Sequence, residues 1–157
     1  MGPKVAVLLA AYNGMNWIEE QIATIVNQEN VEVHIFISVD FSSDTTYDWC
    51  KELEDKSKKI TVLEYGERYG GAAKNFFRLI LDVNFNEYSY IALADQDDIW
   101  HIDKLTSGIK KMEQANAEAY SSSVIAFWSD GREKYIDKAQ PQKEYDYLLE
   151  AAGPGCT

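Results

Sequence analysis

The residues best suited to chemistry lie between Tyr90 and Trp100, where the sequence runs Tyr-Ile-Ala-Leu-Ala-Asp-Gln-Asp-Asp-Ile-Trp. An apolar run that fits a buried strand ends in the carboxylates Asp95, Asp97 and Asp98, and apolar character resumes at once with Ile99 and Trp100. Like charges this close repel, and apolar neighbours strip their hydration, so the cluster calls for solvent, a shifted pKa or a bound cation. A divalent metal ion and a solvated acidic turn both meet that demand, since short Asp-rich turns are common.

Composition narrows the ligand. With 157 residues and 46% hydrophobic content the chain can build one sizeable core. A net charge of -11, from Lys+Arg 15 against Asp+Glu 26, argues against nucleic acid, whose phosphates are held by basic surface. An anionic ligand therefore needs a metal ion or a local basic group. The longest apolar run, Val5 to Ala11, falls far short of the ~20 residues of a membrane span, and no cleavage site follows it, so neither a span nor a signal peptide is expected. Cys50 and Cys156 match no metal spacing and read as reduced thiols of a cytosolic protein; with His34 and His101 the only histidines, a histidine-rich zinc site is not expected.

Positioning the carboxylates falls to a repeated strand, loop and helix pattern. Val5 to Ala11 is continuously apolar, as a strand buried on both faces of a parallel sheet reads, and it ends in the turn Tyr12-Asn13-Gly14. Asn16 with Glu19 forms a capping-box pattern, after which Ile18, Ile22, Ile25 and Val26 share one helical face. Val33 to Val39 is a second strand, Asp40 to Thr46 a polar turn with Asp44 as N-cap, and Tyr47, Cys50 and Leu53 mark a second helix. A third strand over about Ile60 to Tyr65 leads through the loop Gly66 to Gly71 to a helix striped by Phe76, Phe77, Ile80 and Leu81, and Tyr90 to Ala94 is the fourth strand. Leu105, Ile109 and Met112 carry a helix from about Ile102 to Ala117, and Val124 to Trp128 is a fifth strand. Ser129 to Lys143 is polar, Tyr145 to Glu150 reads as a short helix, and Gly153-Pro154-Gly155-Cys156-Thr157 is loop-like.

Strands alternating with helices imply right-handed parallel crossovers and a doubly wound α/β domain. In such sheets ligands bind beyond the carboxyl ends of the strands, where the winding direction reverses. With strand order 3-2-1-4, strands one and four adjoin, and Tyr12 with Asn13, Asp40, and the turn Asp95 to Asp98 face one cleft. A single domain is expected over residues 1–157, and because the chain stops in a glycine-rich loop, that domain is expected to be incomplete at its C-terminus.

Four segments taken in order resemble a known family: Val-Leu-Leu-Ala-Ala-Tyr-Asn-Gly, Ile-Ser-Val-Asp-Phe-Ser-Ser-Asp, the pair Lys74-Asn75, and Ala-Asp-Gln-Asp-Asp-Ile-Trp. They are similar to the family 2 inverting glycosyltransferases of the GT-A fold, a Rossmann-like α/β/α sandwich, and within them to the bacterial rhamnosyltransferase-like branch. The terminal Gly-Cys-Thr resembles a segment found later in that branch. The resemblance implies that Tyr12 flanks a nucleotide base beside the Ala11 backbone and Asn13, although a buried loop tyrosine reads the same way. It gives Asp40 to the ring N–H of uracil or thymine, where an isolated aspartate could equally cap a turn. Asp95 would take the ribose, with Gln96 beside it, and Asp97 a Mg2+ or Mn2+ that bridges two phosphates, with Asp95 a second possible ligand. Lys74 would supply positive charge near the diphosphate, or stand as a solvated helix lysine. Asp98 is either a partner to these ligands or a helix cap, Trp100 a core or cleft-wall aromatic, and His34 and His101 have no assigned role. The family's usual Asp before and Gly after the base-recognising aspartate are Val39 and Phe41 here, so the local turn must differ.

The implied reaction is transfer of a sugar from dTDP-rhamnose or a UDP-sugar to a glycan or lipid-linked acceptor, with inversion and with metal assistance. The family's general base follows the Gly-Cys-Thr segment, so it is expected beyond Thr157 and the chain is expected to bind donor with little turnover. The implied location is cytoplasmic, at the inner membrane face in a longer protein. The alternatives are a non-catalytic module of the same fold and a nucleotidyltransferase, the latter disfavoured because Ala-Ala-Tyr-Asn-Gly has no basic residue.

Overall fold

The computed structural model describes residues 2–137. They belong to two compact units that divide between Ser107 and Gly108. The first alternates β1 (Lys4–Ala11), α1 (Ile18–Val26), β2 (Glu32–Val39), α2 (Thr46–Lys56), β3 (Ile60–Val62), α3 (Ala72–Asp82) and β4 (Tyr90–Asp95). Its strands form one parallel sheet in the order β3-β2-β1-β4, as expected from the crossover pattern. The helix α4 (Lys104–Ala115) runs across the division, and the second unit holds β5 (Val124–Phe127) and β6 (Glu133–Ile136).

The apolar run of β1 is continuous because the strand is central and covered on both faces: every residue from Val5 to Ala11 is buried. Below α3, Leu8, Ala10, Leu79 and Val83 form a core against which Phe36, Phe76, Phe85 and Leu93 pack. α1 buries Ile18, Ile22 and Ile25 as its periodicity predicts, together with Gln21. The Cys50 thiol is buried and pushed up to about 12 by that burial, with the Asp44 charge adding to it, so it is an inert core group.

Several expectations are corrected. Asn16 and Glu19 do not form a capping box: α1 begins after Trp17 without a side-chain cap, because the Gly14 carbonyl takes the N–H groups of Trp17 and Ile18, both at 2.9 Å. Asp44 is not the N-cap of α2, which is Thr45, yet its Oδ1 does accept the Thr46 N–H at 3.0 Å. β3 ends at Val62, although the Leu63 N–H still reaches the Ile37 carbonyl at 2.9 Å. The Phe76, Phe77, Ile80 and Leu81 stripe does not face the core as a unit: Phe77, Ile80 and Leu81 are 63%, 46% and 81% exposed, while Asn75 and Leu79 are buried. A polar anchor sets this rotation, since the Asn75 amide donates to the Ser38 carbonyl at 2.9 Å and the Ala11 carbonyl at 3.4 Å.

In the second unit β5 pairs antiparallel with β6 rather than extending the parallel sheet. The polar stretch after Trp128 hid this hairpin, whose signal was Asp130-Gly131: Gly131 has φ 83, its N–H donates to the Trp128 carbonyl at 2.9 Å, and the Trp128 N–H donates to the Arg132 carbonyl at 3.0 Å. The expected helix Tyr145 to Glu150, the terminal loop and Cys156 lie outside the described residues. Among the described residues no helix is long and apolar enough to cross a membrane.

The rotation of α3 is testable by paired truncation. Leu79→Ala should destabilise the protein by about 2–5 kcal/mol, the range for a buried leucine, whereas Leu81→Ala should stay within about 0.5 kcal/mol of the parent in chemical denaturation. Equal losses at both positions would show that the apolar stripe, not the Asn75 side, faces the core.

Candidate functional site

Parallel register brings the strand ends level. Ala11 stands beside Val39 across β1 and β2, and Ala10 beside Asp95 across β1 and β4, so the turns that follow all three strands open at one edge. Between them lies a cleft of about 350 Å³, within the range of small-molecule sites. Ala11, Tyr12, Asp40, Asp95, Gln96 and Asp97 line it, which are six of the residues singled out from the sequence. Asn13 and Lys74 do not. Asn13, at φ 45, turns its side chain to the neighbouring turn, where Oδ1 accepts the Ser43 N–H at 2.8 Å, while Lys74 is exposed on α3. The remaining wall comes from the loop after β3 and the start of α3, with Arg68, Gly70, Gly71, Ala72 and Asn75.

Tyr12 is half-exposed, and its backbone is clasped by Gln96, whose Oε1 accepts the Tyr12 N–H at 2.8 Å and whose Nε2 donates to the Tyr12 carbonyl at 2.9 Å. This clasp explains Gly14: a Cβ there would lie 2.4 Å from Gln96 Oε1. Gln21, fully buried on α1, donates to the Asp95 carbonyl at 3.1 Å, and Gln28 donates to the His101 carbonyl at 2.7 Å and accepts the Leu105 N–H at 3.0 Å. The acidic turn and the segment after it are thus held from below by α1. The sequence signal for these contacts is the polar pair Gln21 and Thr24 set among the apolar residues of α1, with Gln28 just past its end.

Asp40 is buried and already engaged. Its Oδ1 accepts the N–H groups of Phe41 at 2.7 Å and Tyr69 at 2.8 Å, and its Oδ2 accepts that of Gly70 at 2.8 Å. Burial alone would raise this carboxyl, but the backbone donors of Tyr69, Gly70 and Phe41, with a further pull from Gly71, outweigh it and hold the group below its usual 3.8. The carboxylate therefore clamps the loop after β3, which must turn sharply, with Gly70 at φ 74. Behind the clamp the buried Ser38 hydroxyl donates to Asn75 Oδ1 at 2.5 Å and accepts from Arg78 at 3.1 Å. Asn75 and Arg68 are cleft residues that the sequence reading left without a role.

Asp95 and Asp97 both line the cleft. The neighbouring Asp98 carboxyl is pushed up by burial first and then by the Asp95 charge, with Asp97 adding and Lys104 opposing. The Trp100 indole N–H lowers it slightly without making a hydrogen bond of normal geometry. The turn thus carries negative charge that its own surroundings do not balance, and a hard divalent cation on Asp97 and Asp95 fits that donor set. Among the described residues no three carboxylate, histidine or thiol groups are gathered into a cage, so such an ion would draw its other ligands from water and from a bound phosphate.

The sequence profile described as Glycosyl transferase family 2 matches residues 6–153. The chain is 48% identical over 150 residues to the dTDP-rhamnosyl transferase RfbG of Shigella flexneri, covering 95% of this chain and 52% of that one, so it spans about half the relative's length. Among solved structures it resembles the mannosyltransferase PcManGT of Pyrobaculum calidifontis, in complex with GDP-Man and Mn2+, at a TM-score of 0.60 and 20% identity over 78% of this chain and 35% of that one. It also resembles S. aureus TarS 1-349 in complex with UDP-GlcNAc, at a TM-score of 0.57 and 17% identity over 79% of this chain and 33% of that one. These two likenesses bear on fold alone, and they agree with the parallel 3-2-1-4 sheet in assigning it to the GT-A class. The profile match over nearly the whole chain establishes that this protein belongs to glycosyl transferase family 2.

Proposed function

We propose that the cleft binds a nucleotide-diphosphate sugar, dTDP-rhamnose or a UDP-sugar, as the donor for inverting transfer to a hydroxyl of a glycan or lipid-linked acceptor. The observation that carries this reading is the convergence of Tyr12, Asp40, Asp95 and Asp97 on one cleft at the carboxyl edge of the sheet. The 48% identity to a dTDP-rhamnosyl transferase favours thymine and rhamnose among the donors.

The half-exposed Tyr12 ring offers a face for the base. Asp40 would serve base and loop together, its carboxylate accepting the ring N–H of uracil or thymine beside the backbone N–H groups of Phe41, Tyr69 and Gly70. Asp95 takes the ribose hydroxyls, and Gln96 acts through the Tyr12 backbone that it clasps. Asp97, with Asp95 beside it, would hold Mg2+ or Mn2+. When bound, the ion supplies Lewis-acid charge that offsets the negative charge of the departing diphosphate. Deprotonation of the acceptor hydroxyl requires a base on the opposite face of the sugar, and no cleft residue is assigned that task. On this reading the protein works in the cytoplasm, at the inner membrane face where the acceptor is lipid-linked.

Calorimetric titration with UDP and dTDP, with and without Mn2+, tests the reading. Both should bind more tightly with Mn2+, and Asp97→Ala should lose at least about tenfold in the metal-dependent affinity, or about 1.4 kcal/mol. Absence of binding, or an Asp97→Ala protein that binds as the parent does, would refute the assignment. The dual role of Asp40 gives a second test. Its folded pKa lies below 3.8, so its contribution to stability is complete above that value and is lost as pH falls through the lower folded value. Asp40→Asn should cost about 1–3 kcal/mol at neutral pH, as clamped donors lose acceptors, and should show a shallower stability loss than the parent as pH falls below 3.8. A parent and variant with parallel pH profiles would contradict the clamp.

A further inference from the structure

Arg68 is the one cation among the described residues that line the cleft, where the acidic walls are Asp40, Asp95 and Asp97. Its side chain is exposed and takes part in none of the ion pairs among the described residues. Its backbone, by contrast, is tightly placed. The next two residues, Tyr69 and Gly70, both donate their N–H groups to Asp40 at 2.8 Å. The Tyr69 ring lies under the Arg78 guanidinium, 5.2 Å from its centroid, and Arg78 is itself tied to the buried Ser38 hydroxyl at 3.1 Å. The position is therefore a guanidinium with an uncommitted head on a fixed stem. The head is also of the right kind, since a planar fork that stays protonated matches phosphate oxygens in pairs.

Charge balance points the same way. Asp40, Asp95 and Asp97 together outweigh the charge of one divalent ion, so a cation in the wall would add to the ion's attraction for a diphosphate. Lys74 was the expected source, but it stands on the exposed side of α3 outside the cleft lining.

We propose that Arg68 binds the diphosphate of the donor, and that the Asp40 clamp on Tyr69 and Gly70 is what positions it. This rests on the nucleotide-sugar reading above. Titrations of the whole protein with UDP, dTDP and the nucleosides uridine and thymidine, in the presence of Mn2+, test it. Arg68→Ala should weaken both diphosphates at least tenfold while leaving nucleoside binding within twofold of the parent. Arg68→Lys should recover part of the loss, because it keeps the charge without the fork. Lys74→Ala should cost less than Arg68→Ala. Thermal melting should superpose for parent and Arg68→Ala, which separates lost contact from lost fold. Diphosphate affinity unchanged in Arg68→Ala, equal losses for nucleoside and diphosphate, or a larger loss in Lys74→Ala would each overturn the assignment while leaving the donor reading in place. A parent that binds neither diphosphate overturns both.

Discussion

Everything in the cleft depends on β1 being paired in parallel, without a bulge, to a strand on either side. Eight consecutive residues of β1 are in register with β2 and six with β4, so the ends of three strands finish level. A slip of one residue would turn Asp95 from one sheet face to the other and exchange the two faces of β4. The continuous burial of β1 makes such a slip costly, because both faces of the central strand are filled by apolar side chains. Core packing therefore fixes the relative positions of Tyr12, Asp40 and Asp95, which lie far apart in sequence.

Level strand ends alone would leave flexible turns, and buried polar groups make them rigid. Gln96 replaces a missing ladder partner for the Tyr12 backbone, Gln21 reaches the Asp95 carbonyl from α1, and Asn75 bridges the Ser38 and Ala11 carbonyls from α3. Each is an amide, whose NH2 carries two donors beside an acceptor oxygen, so Gln96 can meet the Tyr12 N–H and carbonyl together and Asn75 can donate to two carbonyls at once. These amides satisfy groups that would otherwise be desolvated at the cleft floor, at a typical cost of about 1–3 kcal/mol for each one left unpaired.

The division between what could and could not be read from the sequence follows the range of the interactions. Buried parallel strands announce themselves as apolar runs, and β1, β2 and β4 lie within one residue of their expected bounds. The acidic turn was legible as a candidate site because its three carboxylates stand at the end of an apolar run and against Ile99 and Trp100. Helix rotation was not, because Phe77, Ile80 and Leu81 outweigh Asn75 in any apolar count, while the bonds that Asn75 makes to Ser38 and Ala11 span 37 and 64 residues. Nor was the relation between Lys74 and Arg68 visible: helical spacing places Lys74, but only the fold of the loop after β3 brings Arg68 to the cleft.

The departure from the family pattern at Val39 and Phe41 has a local explanation. Glycine after an aspartate is required when the backbone there is left-handed, yet the non-glycine residues with positive φ among those described are Asn13, Asn30 and Asn116, and Phe41 is not one of them. The turn instead directs the Phe41 N–H back onto Asp40 Oδ1 and lays its ring on Tyr65, with centroids 5.7 Å apart and planes 6° from parallel. Tyr65 stacks in turn on Tyr47 at 4.2 Å, and its hydroxyl accepts the Ser42 N–H at 2.8 Å. A side chain at position 41 thus links the aspartate to an aromatic stack where glycine would leave a gap. The carboxylate is held by its own loop, by the loop after β3 and by this stack, so little of its freedom would remain to be lost on binding.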